Sequence, residues 1–369
     1  MRAKNIPYQE RLVSLSNKPD WYKEMVPTTQ VPALLFHNSN SDDEPNSRKL
    51  VWESLDIMKA LDHMFPDTPQ LVLDTDEYDE ATKMNALLNT AGFGFIYASR
   101  GDESDENSMV SSQHLQDKKQ AFLDALDELE RAMVASGGPF RLGNNFTGVD
   151  AEMIPSLERW RHQLPLSKGL DILENRPALL KWFQAMDSYA PFSERVAGDE
   201  YSWVATSAMF ARFFGKEGDP ETIATIERSE SAAMALVNGF KEAVKDDACE
   251  GRFALEAAAK VISNREAIAK DCTHSEPKSQ QNIPRATNTD TADKMLFVVA
   301  KILLHEDEAI HEAKAIMFKD MGIDNDEKLD ASNVAKAVAS RLCAPRDMSA
   351  PAAKILRAVL MIVAERLEE

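Results

Sequence analysis

The sequence predicts an α+β unit at its start, followed by helix almost to the last residue. Three observations carry this. Two short strand-like runs, VPALLF and KLVW, stand within the first 52 residues. From Ser54 onward the apolar residues switch to helical spacing. Beyond about residue 79 strand signals are scarce, and Ala-rich helical periodicity takes over.

Taken in order, residues 8–15 (YQERLVSL) alternate weakly and end at a Ser-Asn turn, which predicts a strand. KPDWYKEM then reads as a short helix with Lys18 at its mouth. Pro32 cannot donate to a ladder, so it belongs at the opening of the strand ALLF. KLVW at 49–52 is the next strand, and HNSNSDDEPNSR between them is too long and polar for a tight hairpin, so it is an exposed insertion. Leu55, Ile57, Met58, Leu61, Met64 and Phe65 keep helical spacing until Pro66. The acidic, Pro-marked PDTPQLVLDTDEYDE reads as a linker. Helices are predicted over 79–99, 114–135, 149–163, 176–188, 219–246, 251–271, 289–319, 331–342 and 350–368. Polar breaks fall at 101–108, 215–220 and 273–290. A strand, a helix, two strands and a closing helix make up most of a thioredoxin-like domain.

The chain has 369 residues, 44% of them hydrophobic, enough for two or three domains with substantial cores. Its formal net charge of -19 argues against nucleic acid or an anionic membrane surface as partner, since both need clustered Lys and Arg. No apolar run approaches the length of a membrane span, and MRAKNIPYQERL carries no secretory pattern. Three scattered cysteines, Cys249, Cys272 and Cys343, fit a reducing compartment and form neither a disulfide framework nor a zinc site.

Three segments carry a family resemblance. NKPDWYKEMVPTTQVPAL, WESLDIMKALD and GPFRLGNNFTGVDAEMIPSLERW resemble the cysteine-type glutathione transferases, with the lambda class nearest and the omega class and dehydroascorbate reductases beside it. The likeness covers about residues 1–200. It implies a thioredoxin-like domain at 1–72, an all-α transferase domain at 77–215 and an all-α extension at 216–369. It also implies that the Val31–Pro32 bond is cis, which turns the Val31 main chain toward the cysteinyl part of glutathione. Ser54, at a helix N-terminus suited to an anion, would receive the γ-glutamyl carboxylate, and Glu53 its ammonium. Lys18 would reach toward the far carboxylate of the tripeptide. By the same analogy Trp160, Phe93 and Tyr97 face a second-substrate cavity, although aromatics at helical spacing are more often core. Thr147-Gly-Val-Asp150 reads as a capping box with a folding role.

The family's catalytic thiol has no counterpart here. RAKNIPYQERLV matches the end of the first helix and the second strand of the family's domain, so Met1 is expected to be a truncated start, with a strand and a Cys-containing turn upstream. HEDEAIHE misses the HExxH spacing, and DNDEKLDAS resembles a calcium loop without its turn glycine, so no metal is expected. The helix after CAPRDMSAP is strongly apolar and suits burial against neighbours or a partner. The resemblance implies glutathione-dependent thiol transfer, reduction or deglutathionylation of a small electrophile, with glutathione as co-substrate. The rival is a non-catalytic binding or interaction module. A homodimer or a helix-mediated partner is open, and the expected compartment is the cytoplasm, or a plastid if a transit peptide precedes Met1.

Overall fold

The computed structural model describes residues 1–13, 18–37, 48–98, 108–215, 218–246, 251–273, 286–304 and 327–368. They divide into two compact units, Met1–Leu157 with Leu173–Ser188, and Glu158–Ile172 with Tyr189–Glu369. These units do not follow the expected boundaries at 72–77 and 215–216. Residues 189–214 cluster with the extension, for reasons that the packing of the second unit makes plain.

The first unit begins with a 3-10 turn at Arg2–Lys4 and helix α1, Asp20–Met25. Strands β1 (Ala33–His37) and β2 (Arg48–Trp52) pair antiparallel, with Ala33 opposite Trp52, Leu34 opposite Val51 and Phe36 opposite Lys49. Strand alternation puts Leu34, Phe36 and Val51 on one face. There they pack with Ile6 and with Ile57, Ala60, Leu61 and Phe65 of helix α2, Ser54–Met64, and its C-cap. Beneath α2, Lys4 is fully buried and donates to Asp62 at 2.6 Å and to the Pro69 carbonyl at 2.8 Å. Asp62 also accepts from the Leu71 and Val72 amides, so one carboxylate fastens the following segment to the helix.

Helix α3 runs over Asp76–Ile96, three residues earlier than expected, because Thr75 caps it by accepting from the Tyr78 amide and Asp76, Glu77 and Asp79 suit its first turn. Helix α4, Ser108–Ser136, packs along it, with Phe95 and Phe122 stacked at 5.9 Å. Helix α5, Gly148–Ser167, passes from the first unit into the second, and α6, Pro177–Ser188, closes the first. Glu130 of α4 accepts from the Ala178 and Leu179 amides, satisfying the open end of α6. Of the expected capping box the carboxylate half is present, Asp150 reaching back to the Thr147 amide. Asp150 is fully buried and accepts from the Thr147 amide and hydroxyl, the Arg141 amide and Trp182 Nε1. Burial pushes its carboxyl upward while those donors oppose the shift.

The second unit comprises α7 (Ala190–Ser193), α8 (Glu200–Phe214), α9 (Pro220–Asp246), α10 (Gly251–Ser263), α11 (Arg265–Thr273), α12 (Thr289–Leu304), α13 (Lys328–Arg341) and α14 (Ala350–Glu368). Its core is made of Ala257, Ala258, Val261, Leu296, Val299, Leu356, Leu360 and their neighbours, where alanines let the helices approach closely. In α14 every residue from Leu356 to Leu360 is buried, as expected for a helix surrounded by others.

Several expectations are corrected. Residues 8–13 form no strand, and Tyr8 and Leu12 are exposed; among the described residues no strand lies alongside to complete their ladder. Residues 14–15 of that expected strand lie outside the described residues, as do 38–47 and HEDEAIHE. Helix α8 was not expected at all; Asp199 starts it by accepting from the Ser202 amide at 2.7 Å. The single helix expected at 251–271 is two, meeting at Asn264. The helix expected at 289–319 is described only to Leu304. No described helix is long and apolar enough to cross a membrane.

Candidate functional site

The β1–β2 register brings two sequence motifs together. Because Ala33 faces Trp52 as the last pair, the residues that continue the two chains, Val31–Pro32 and Glu53–Ser54, emerge at the same end of the ladder. The Val31–Pro32 bond is cis, and Val31 is exposed. Glu53 occupies φ 68°, ψ 125°, a region costly for a residue with a Cβ, of order 1–3 kcal/mol. The cost has a geometric cause. Strand β2 ends at Trp52 and α2 begins at Ser54, so a single residue makes the whole turn, and the Glu53 carbonyl already accepts from the Ile57 amide at 2.9 Å. Glu53 is therefore the N-cap and Ser54 the first helical residue, one step on from a capping position, and among the described residues no side chain caps α2. Glu53 and Ser54 are both exposed. An uncapped helix start beside an exposed main-chain segment offers amide donors to a carboxylate and an acidic group to an ammonium.

Helix α1 supports this end of the ladder. The buried Tyr22 donates its hydroxyl to the Gln30 carbonyl at 2.5 Å, holding the chain that leads into Val31. Lys18 stands two residues before α1, partly exposed. The aromatics divide. Phe93, on the last turn of α3, and Tyr97, its C-cap, stack at 6.2 Å, and Tyr97 is 72% exposed. Trp160, on α5, is 0% exposed, so it presents no surface to a ligand. Its helical spacing could not distinguish a wall from a core.

The described thiols make poor nucleophiles. Cys272 is buried in the core of the second unit, and burial pushes the half-buried Cys343 thiol upward in pKa. Cys249 lies outside the described residues. Among the described residues no group of three His, Cys, Asp or Glu side chains could hold a metal ion.

The chain matches the glutathione S-transferase N-terminal domain over residues 1–64 and the glutathione S-transferase C-terminal domain over 112–185. It is 31% identical to glutathione S-transferase L3 of Arabidopsis thaliana over 183 residues, 48% of this chain and 67% of that protein. It belongs to the glutathione transferase family. Protein IN2-1 homolog B of Oryza sativa subsp. indica is 29% identical over 187 residues, 49% of this chain and 66% of that relative. Glutathione S-transferase DHAR3, chloroplastic, of Arabidopsis thaliana is 26% identical over 200 residues, 54% and 66% of the two chains. The chain thus spans about two thirds of the length of these relatives. The lambda class fits, and the transferase fold of a thioredoxin-like domain followed by an all-α domain accounts for the order of elements through α6. The family-model matches end at residue 185, before α7.

Proposed function

We propose that the end of the β1–β2 ladder binds glutathione, and that the protein uses it in thiol transfer to a small electrophile or in reduction of a glutathionylated compound. The Val31 main chain would pair with the cysteinyl unit, Ser54 and the first amides of α2 would take the γ-glutamyl carboxylate, Glu53 the ammonium, and Lys18 the opposite carboxylate. Pro32 sets the direction of the Val31 segment. Phe93 and Tyr97 would offer a flat apolar surface to the electrophile. The register that aligns Val31–Pro32 with Glu53–Ser54 is the observation that carries this reading. In the transfer, the tripeptide's S–H proton passes to water, its sulfur bonds to the electrophilic carbon, and the displaced group takes the electron pair of the broken bond. In the reduction, its sulfur bonds to the glutathione sulfur of the mixed disulfide, and the released thiolate takes the electron pair and a proton.

A second reading, a glutathione-binding module without turnover, is favoured by the raised pKa of Cys343 and the burial of Cys272. Isothermal titration of the full chain with glutathione, alongside a thiol-transfer assay, tests both. Charge-assisted bonds of about 1.5–3 kcal/mol each predict that Ser54→Ala or Glu53→Gln weakens binding roughly 10- to 100-fold. Absence of glutathione binding by the unaltered chain rejects both readings. Binding without turnover leaves the module.

A further inference from the structure

We infer that helix α8 is held in place by the last helix of the chain through one buried residue, Arg357. Arg357 sits mid-way along α14 and is 0% exposed. Its Nη2 donates to the Leu342 carbonyl at 2.7 Å and its Nε to the Ala339 carbonyl at 3.2 Å, which closes the open C-terminal end of α13. The same guanidinium lies 3.4 Å from the Asp199 carboxylate and 4.0 Å above the Tyr201 ring. Asp199 is the N-cap of α8, and Tyr201 is in its first turn. Ser202, next in that turn, donates its hydroxyl to Asp199 at 2.9 Å and accepts from the Ala344 amide at 3.3 Å. Arg195 donates to the Pro345 carbonyl at 2.8 Å. One guanidinium therefore meets the start of α8, the end of α13 and the middle of α14.

The arrangement is directional. Asp199 is fully buried, so a carboxylate capping α8 there needs a partner of opposite charge or hydrogen-bond donors close by. Arg357 is the buried guanidinium beside it, and it arrives with α14. The fork geometry of arginine serves two carbonyls and a carboxylate together, which the point charge of lysine cannot. Folding of α8 thereby becomes conditional on docking of α14, and the extension acts as a strap on the segment that follows the transferase match. The extension is not a detachable appendage.

Hydrogen exchange of the full chain, read by peptide, tests this. Arg357→Met keeps the apolar stem and removes the charge. It should speed exchange in both 200–214 and 350–368 at least tenfold while leaving α4 unchanged, and Arg357→Lys should give an intermediate effect. Asp199→Asn, which leaves the carbonyl contacts of Arg357 intact, should loosen the same two segments to a smaller extent. The double variant should be no looser than Arg357→Met alone. Unchanged or slower exchange in α8 of Arg357→Met overturns the inference, because buried ion pairs replaced by apolar residues can leave a fold equally stable. If Arg357→Met unfolds outright, Asp199→Asn decides: no change in 200–214 and 350–368 overturns it.

Discussion

Each unit of the molecule contains a buried cation, and the two work differently. Lys4 in the first unit meets a single carboxylate at 2.6 Å and one carbonyl, as a compact ammonium can. Arg357 in the second spreads a planar fork over two carbonyls, a carboxylate and a ring at longer distances. Lys4 joins residues near the chain start to α2 and to the linker after it, in a unit whose two-stranded sheet has a small core. Arg357 joins three helices within an extensive alanine-lined core. The difference teaches where redundancy lies. The sheet region depends on few contacts and leaves the candidate site exposed, whereas the bundle shares its load among many.

The comparison breaks most visibly at Lys4. Lys4→Met strands the Asp62 carboxylate in the interior with only amide donors, and removing one partner of a buried pair costs about 3–5 kcal/mol. Exchange in β1, β2 and α2 should approach that of an unfolded segment while α10–α14 stay protected; retained protection of the sheet would mean that the pair is dispensable. Leu360→Ala, at a fully buried position of α14, should cost about 2–5 kcal/mol. Its effect should be confined to the second unit, read as a lower urea midpoint of exchange there; an equal fall in the first unit would contradict the division into two.

A partly buried basic group in the second unit, His162, sharpens the contrast, because it gives up its charge. Burial, with Arg161 and Lys354 adding to it, pushes the His162 imidazole from 6.5 to about 4. Neutral His162 makes no ion pair with Glu200, 4.0 Å away, at ordinary pH. Between about pH 6.5 and 4 the unfolded chain takes up a proton that the folded one refuses. Stability of the second unit is therefore complete above about 6.5 and declines as pH falls through that window, by on the order of 3 kcal/mol. His162→Gln should flatten that part of the pH profile of urea unfolding, and an unaltered profile would assign the acid sensitivity to other groups. Ser54→Ala is expected to have the smallest effect on stability, under about 0.5 kcal/mol for an exposed position, while weakening glutathione binding. A large loss of stability would recast Ser54 as a structural residue.

The site region was readable because its chemistry is local. Val31–Pro32 and Glu53–Ser54 each adjoin a strand end, and strand periodicity carries them into register. Thr147 and Asp150 announced a cap three residues apart, but the Arg141 amide and Trp182 Nε1 that complete it come from distant segments. Depth was not readable either. Trp160, Phe93 and Tyr97 all sit at helical spacing, and only packing makes one a core residue and the others exposed. Helix α8 escaped notice because its cap, Asp199, owes its tolerance of burial to an arginine 158 residues further along. The strand expected at 8–15 illustrates the converse: alternation alone makes no strand where no described neighbour pairs with it.

The one-residue passage from β2 to α2 has a mechanical meaning. With Glu53 alone between them, strand and helix are geared together, and neither can turn without the other. Inserting one residue there would rotate α2 by about 100° and swing Ile57, Leu61 and Phe65 away from the sheet. The aim of the helix's open end is thus set by the same residues that fill the small core, and the candidate site inherits its alignment from the packing beneath it.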